Sequence, residues 1–83
     1  IGQMEQTLIN IVDIVKAAGG EINNIVRLTW YIKSKKEYLS NQKSIGKVYQ
    51  KILGQHYPAM AMFVVQDLIE DEAILEIEAT AII

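Results

Sequence analysis

Glu76, Glu78, Arg27, Tyr31, Met60, Met62 and His56 are the candidates this sequence offers for acting on a bound molecule. Glu76 and Glu78 stand two apart, and in an extended segment that spacing puts both carboxylates on one side. A strip of two carboxylates can position a water molecule or move a proton. Arg27, Thr29 and Tyr31 repeat the same spacing. A guanidinium can hold a carboxylate through two hydrogen bonds, and a phenol can add a third. Plainer roles compete with each of these: an ion pair from Arg27 to Glu76 or Glu78, and interface filling by Tyr31. Met60 and Met62 would form a soft apolar wall, as packing or as a ligand contact. His56 has no nucleophile or second base beside it in the sequence, so it reads as a surface histidine. Cysteine is absent, which excludes thiolate chemistry, disulfides and cysteine-ligated metals, and one histidine cannot build a metal cluster. No metal and no cofactor is expected.

The elements that must carry these residues follow from periodicity. Met4, Leu8, Ile11, Val12, Val15 and Ala18 recur at helical spacing up to Gly19-Gly20, which ends a first helix. Ile25 to Ile32 is β-branched and aromatic, with Val26, Leu28, Trp30 and Ile32 on one side and Arg27, Thr29 and Tyr31 on the other. Ser34 and Glu37 form a capping-box pattern that opens a second helix running to Gly54. Tyr57-Pro58 leads into a strand over 59–65, and 67–71 reads as a turn. Ala73 to Ile83 then alternates as a half-buried strand. The order is α-β-α-β-β.

Two amphipathic helices separated by a strand pack best on one face of a sheet. The other face then carries Arg27, Thr29, Tyr31, Glu76 and Glu78, together with one parity of the middle strand: Met60, Met62 and Val64, or Ala61, Phe63 and Val65. Such a face is too apolar to stand open and too polar for a dry core, and an oligomer interface around a wet pocket suits it. The 83 residues are 51% hydrophobic, which fits one domain over 1–83. The net charge of −2 gives no electrostatic footprint for nucleic acid, and the cluster Lys33, Lys35 and Lys36 reads as a solvated helix entry. No run is apolar for long enough to span a bilayer, no export signal is visible, and the cytoplasm is the default location.

The strings Gln6-Thr7-Leu8-x-Asn10-Ile11, Ala17-Ala18-Gly19-Gly20, Val26-Arg27-Leu28-Thr29-x-Tyr31-Ile32, Tyr57-Pro58-Ala59 and Glu76-Ile77-Glu78-Ala79-x-Ala81 resemble the Rid/YjgF family in order and spacing. The family is also known as liver perchloric-acid-soluble, endoribonuclease-like or translation-inhibitor-like proteins. The resemblance covers the chain and corresponds to the later part of the family domain, whose first strands are expected before Ile1.

It implies an α+β, chorismate-mutase-like fold, with two helices on one face of a mixed sheet, assembled as a homotrimer with ligand clefts at the subunit boundaries. It further implies hydrolysis of enamines and imines to a 2-keto acid and ammonia. Glu78 falls at the family's water-positioning glutamate, while Met60 stands where the deaminases carry the arginine that clamps the substrate carboxylate. A thioether cannot replace that clamp. The expected function is therefore binding or weak hydrolysis of a 2-imino or 2-keto acid-like metabolite at the cleft, with Glu78 catalytic and Arg27, Tyr31, Met60 and Met62 contacting substrate. A non-catalytic trimeric binding or scaffold protein is the alternative, and an endoribonuclease ranks third.

Overall fold

The computed structural model describes residues 2–83. Helix α1 spans Gly2–Ala17 and buries Met4, Leu8, Val12 and Val15, an i, i+4, i+8, i+11 stripe that faces the sheet. It stops in a Schellman turn: Gly20 N–H donates to Val15 O at 2.9 Å and Gly19 N–H to Lys16 O at 3.0 Å. Gly19 sits at φ 89°, a conformation that a side chain would strain. Gly20 is needed for space instead, because an added Cβ would lie 2.9 Å from Ile83 Cδ1 and 3.0 Å from Val15 Cγ1.

A short 3₁₀ turn, Ile22–Asn24, leads into strand β1, Ile25–Ile32. The expected side assignment fails at its first residues. The ladder slips between Ile25 and Arg27, so that Val26 is an extra residue in a bulge. Ile25, 1% exposed, joins Leu28 and Trp30 in the core, while Val26 is 41% exposed. Strict alternation cannot anticipate a bulge.

The second helix is two helices, α2 (Lys35–Ser40) and α3 (Gln42–Leu53). Ser34 caps α2 as its pattern predicts, accepting from Glu37 N–H at 3.1 Å. Asn41 then breaks the run: its backbone leaves helical geometry, and its side-chain amide donates to Glu37 O at 2.8 Å, competing with continuation of the helix.

Strand β2 covers Ala59–Val64 and β3 covers Leu75–Ala81. The sheet order is β2-β1-β3, with β1 parallel to β2 and antiparallel to β3. The α2–α3 pair makes the crossover that a parallel pair requires. Among the described residues the core lies on the helix side, where Met4, Leu8, Ile25 and Leu28 are fully enclosed beside Trp30, Tyr49 and Leu53.

His56 is half-buried and structural, contrary to the surface role read for it. Its Nε2 lies 2.7 Å from Ile25 O. A carbonyl only accepts, so Nε2 carries the proton and donates. The carbonyl of His56 in turn accepts from the Tyr49 hydroxyl at 2.7 Å. Together these bonds tie α3, the entry to β2 and the start of β1. The Tyr49 ring stacks on Tyr57 with centroids 5.3 Å apart. Burial, with the neighbouring Tyr57 phenol adding to it, pushes the Tyr49 hydroxyl above its ordinary pKa.

The 65–74 segment is held at both ends. Asp67 accepts from Leu68 N–H at 2.9 Å and pairs with Lys33 at 3.5 Å, and the two effects, backbone bond first, keep its carboxyl below the usual range. The side chain of Gln3 donates to Glu72 O and accepts from Ile74 N–H, both at 2.8 Å, fastening the segment to α1.

Candidate functional site

The ladder register decides which side chains share a face. On the side away from the helices, Arg27 lies opposite Thr80 and beside Ala59, Thr29 opposite Glu78 and beside Ala61, and Tyr31 opposite Glu76 and beside Phe63. Glu78, Arg27 and Tyr31 are therefore brought together on one open face. Phe63 is 53% exposed and stacks with Tyr31 at 6.1 Å. Thr29 is buried, whereas Arg27, Glu76 and Glu78 are exposed.

Among the described residues Arg27 makes no ion pair, so the simple salt bridge to Glu76 or Glu78 is not formed. The guanidinium and both carboxylates remain available to other groups. A cation and two carboxylates flanked by an aromatic pair can hold a small polar molecule if a second surface closes over it.

Met60 and Met62 lie elsewhere. Their partners are Leu28 and Trp30, which places them on the helix side of the sheet. There they line a groove of about 450 Å³ between α3 and β2, together with Trp30, Tyr57, Gly46 and Lys43. Met60 is 47% exposed at the start of its strand. The expected site residues thus divide between two surfaces of this chain.

Nothing in the expected site includes Tyr57, Lys43, Gly46 or Lys47. A signal was present for the last three: they sit at i, i+3 and i+4, one face of α3. Trp30 is buried as expected, yet its Nε1–H has no hydrogen-bond partner among the described residues. A smaller cavity of about 130 Å³ lies on the other side of Trp30, toward Met4, Ser34 and Asn41.

Residues 1–83 match the family model described as endoribonuclease L-PSP. The chain belongs to this family. A RutC family protein of Pyrococcus horikoshii is 33% identical to this L-PSP family chain over 79 residues, covering 95% of the chain and 59% of that relative. Among solved structures, TdcF of E. coli with bound serine shares 32% identity at a TM-score of 0.78, covering 96% of this chain and 61% of that one. RidA of an Antarctic Psychrobacter shares 31% identity at a TM-score of 0.79, with the same coverage of 96% and 61%. The L-PSP family chain therefore has the α+β YjgF/Rid fold and spans about three-fifths of the length of these relatives. Among the described residues no helix is long and apolar enough to cross a membrane.

Proposed function

We propose that this L-PSP family protein is a homotrimer whose clefts, formed between subunits, bind and weakly hydrolyse imine or enamine metabolites derived from amino acids. One observation carries the reading: Glu78 and Met60 of a single protomer lie on opposite sides of its sheet. A cleft that uses both must be built by two protomers, the open face of one covering the groove of the next. Exposed Phe63, stacked on half-buried Tyr31, supplies apolar area for such a contact. Family membership supports the same reading, and so does a relative that holds serine, a small amino acid.

In this cleft Glu78 accepts a proton from water as the water oxygen attacks the C=N carbon. Passing that proton to nitrogen gives a neutral carbinolamine, whose hydroxyl proton then moves through Glu78 to nitrogen as the C–N bond breaks, releasing a 2-keto acid and ammonia. Met60 offers no partner to the substrate carboxylate, which makes turnover of small 2-imino acids weak. A purely ligand-binding role is the second reading, and Met60 is the residue that favours it. RNA cleavage is disfavoured, because one arginine beside two glutamates gives an open face that repels phosphate.

Subunit mixing tests the proposal. Glu78→Gln disables one wall of the cleft and Gly46→Phe fills the other, and each homo-oligomer should be inactive on an imine generated in situ. Reassembled together, the two variants should regain activity in hybrid clefts that pair an intact open face with an intact groove. No recovery on mixing, or a monomer by sedimentation velocity, would reject the intersubunit cleft. Equal keto-acid release by wild type and Glu78→Gln would leave the binding role.

A further inference from the structure

The groove between α3 and β2 has a composition of its own. Its walls are largely aromatic or thioether, with Trp30, the stacked Tyr49–Tyr57 pair, Met60 and Met62, and the amides of Gln42 and Gln50 also line it. Its cations are Lys43 and Lys47, one turn apart on α3, and neither takes part in an ion pair among the described residues. Among the described residues no carboxylate lines it. The Tyr49 hydroxyl is already committed to the His56 carbonyl, while the indole N–H of Trp30, a residue 2% exposed, has no partner among the described residues.

Gly46 adds an independent observation. Glycine inside a helix lowers its stability relative to alanine, and packing does not demand it here, because an added Cβ would meet nothing within 4 Å. Gly46 stands on the groove wall between the two lysines, where the missing side chain widens the opening. The volume, about 450 Å³, suits a molecule larger than a four-carbon acid.

We infer that this groove selects a planar aromatic acid, its ring held between the tyrosine pair and the methionines and its carboxylate met by Lys43 and Lys47. The anchor for the acid thus moves from the β2 position occupied by Met60 to the rim of α3. Polarisable sulfur and aromatic faces favour a flat ring over a short aliphatic chain. Two ammonium groups supply the charge that a thioether lacks. The inference rests on the proposal that the groove forms one wall of the ligand cleft, and it names the class of ligand that wall accepts.

Trp30 is the single tryptophan, so its indole N–H gives one cross-peak in a ¹⁵N-labelled sample of the full chain. The probes are 2-naphthoate, its neutral amide 2-naphthamide, and 2-oxobutanoate. 2-Naphthoate should shift the indole signal saturably and bind about three- to tenfold more tightly than the amide, the range that two exposed charge contacts supply. Lys43→Gln with Lys47→Gln should equalise the two naphthalenes, and Gly46→Phe should abolish both responses.

Equal binding of acid and amide by the wild type, or a preference for the acid that survives loss of both lysines, would overturn the anchor. A response to 2-oxobutanoate without one to 2-naphthoate would overturn the ligand class and leave the proposed cleft standing. Silence toward all three would remove the groove from the cleft and defeat both readings.

Discussion

Thr29 and Glu78 face each other across the β1–β3 ladder at the centre of the open sheet face, the threonine buried and the carboxylate exposed. The backbone at Glu78 is thus fixed by strand pairing, while its carboxylate forms no ion pair among the described residues. Glu78→Gln keeps shape and removes basicity. Thermal unfolding should change by no more than about 0.5 kcal/mol, as for other exposed substitutions. Whatever imine hydrolysis the wild type shows above background should fall to the uncatalysed rate, because the positioned base is lost. Glu76→Gln, made in parallel, should fall less; the opposite ranking in a keto-acid release assay would transfer the role to Glu76.

Met60 sets the second expectation. Against 2-iminobutanoate produced in situ by a dehydratase, the wild type should barely exceed the uncatalysed rate. Met60→Arg places a guanidinium at a half-exposed position at the start of β2. A new charge pair in an enclosed cleft is worth about 2–5 kcal/mol when formed well, so even partial success should raise kcat/KM at least about tenfold. Unchanged kinetics in a correctly assembled variant would show that another cation already holds the carboxylate, with Lys43, Lys47 and Arg27 the ones to examine.

The Tyr49 hydroxyl links stability to alkaline pH. Its pKa is raised above the ordinary 10.0 by burial and by Tyr57, so the folded state keeps this proton longer than the unfolded chain does. Stability from this group is complete below pH 10 and declines as pH climbs through the folded value. Tyr49→Phe loses the bond to the His56 carbonyl, at about 1 kcal/mol, but also loses the titration. Urea melts should therefore show a gap between wild type and variant at pH 8 that narrows by pH 11. A constant gap would mean that the phenol does not titrate differently in the two states.

Close packing at Gly20 yields a coupled pair. An alanine there would drive its Cβ to 2.9 Å from two carbons of Ile83 and 3.0 Å from Val15. Overpacking of this kind costs about 1–3 kcal/mol. Truncating the nearer neighbour should relieve it, so Gly20→Ala with Ile83→Ala should be more stable than Gly20→Ala alone. Simple additivity in a double-mutant cycle would show that Val15, rather than Ile83, resists the added methyl.

Periodicity made much of this fold legible. The α1 stripe, the Ser34 cap and the alternation of β3 all follow from single-residue preferences repeated over several turns or pleats. What stayed hidden depended on one residue acting against its neighbours. Val26 fits a strand pattern perfectly well and is nonetheless the bulge. Asn41 interrupts a helical run because its side chain competes for the backbone. The parity of β2 was open in the sequence, since both Met60-Met62 and Ala61-Phe63 are apolar, and only pairing with β1 sends the methionines toward the helices. Glu78, Arg27 and Tyr31 could be placed on one face because the spacing within each strand is regular. The groove could not, because it depends on how α3 lies against β2.

Strand β1 alone has neighbours on both edges among the described residues, one parallel and one antiparallel. Successive amides in a strand point to alternate edges, so half of its hydrogens are guarded by β2 and half by β3. Releasing all of them requires both partners to leave. In deuterated solvent, residues 28–32 should therefore be the last to exchange, at a rate set by opening of the whole sheet, while β2 and β3 can fray from their outer edges. The middle strand of the sheet thus acts as a clock for global unfolding, and any molecule that binds only the folded form should slow it in proportion to occupancy.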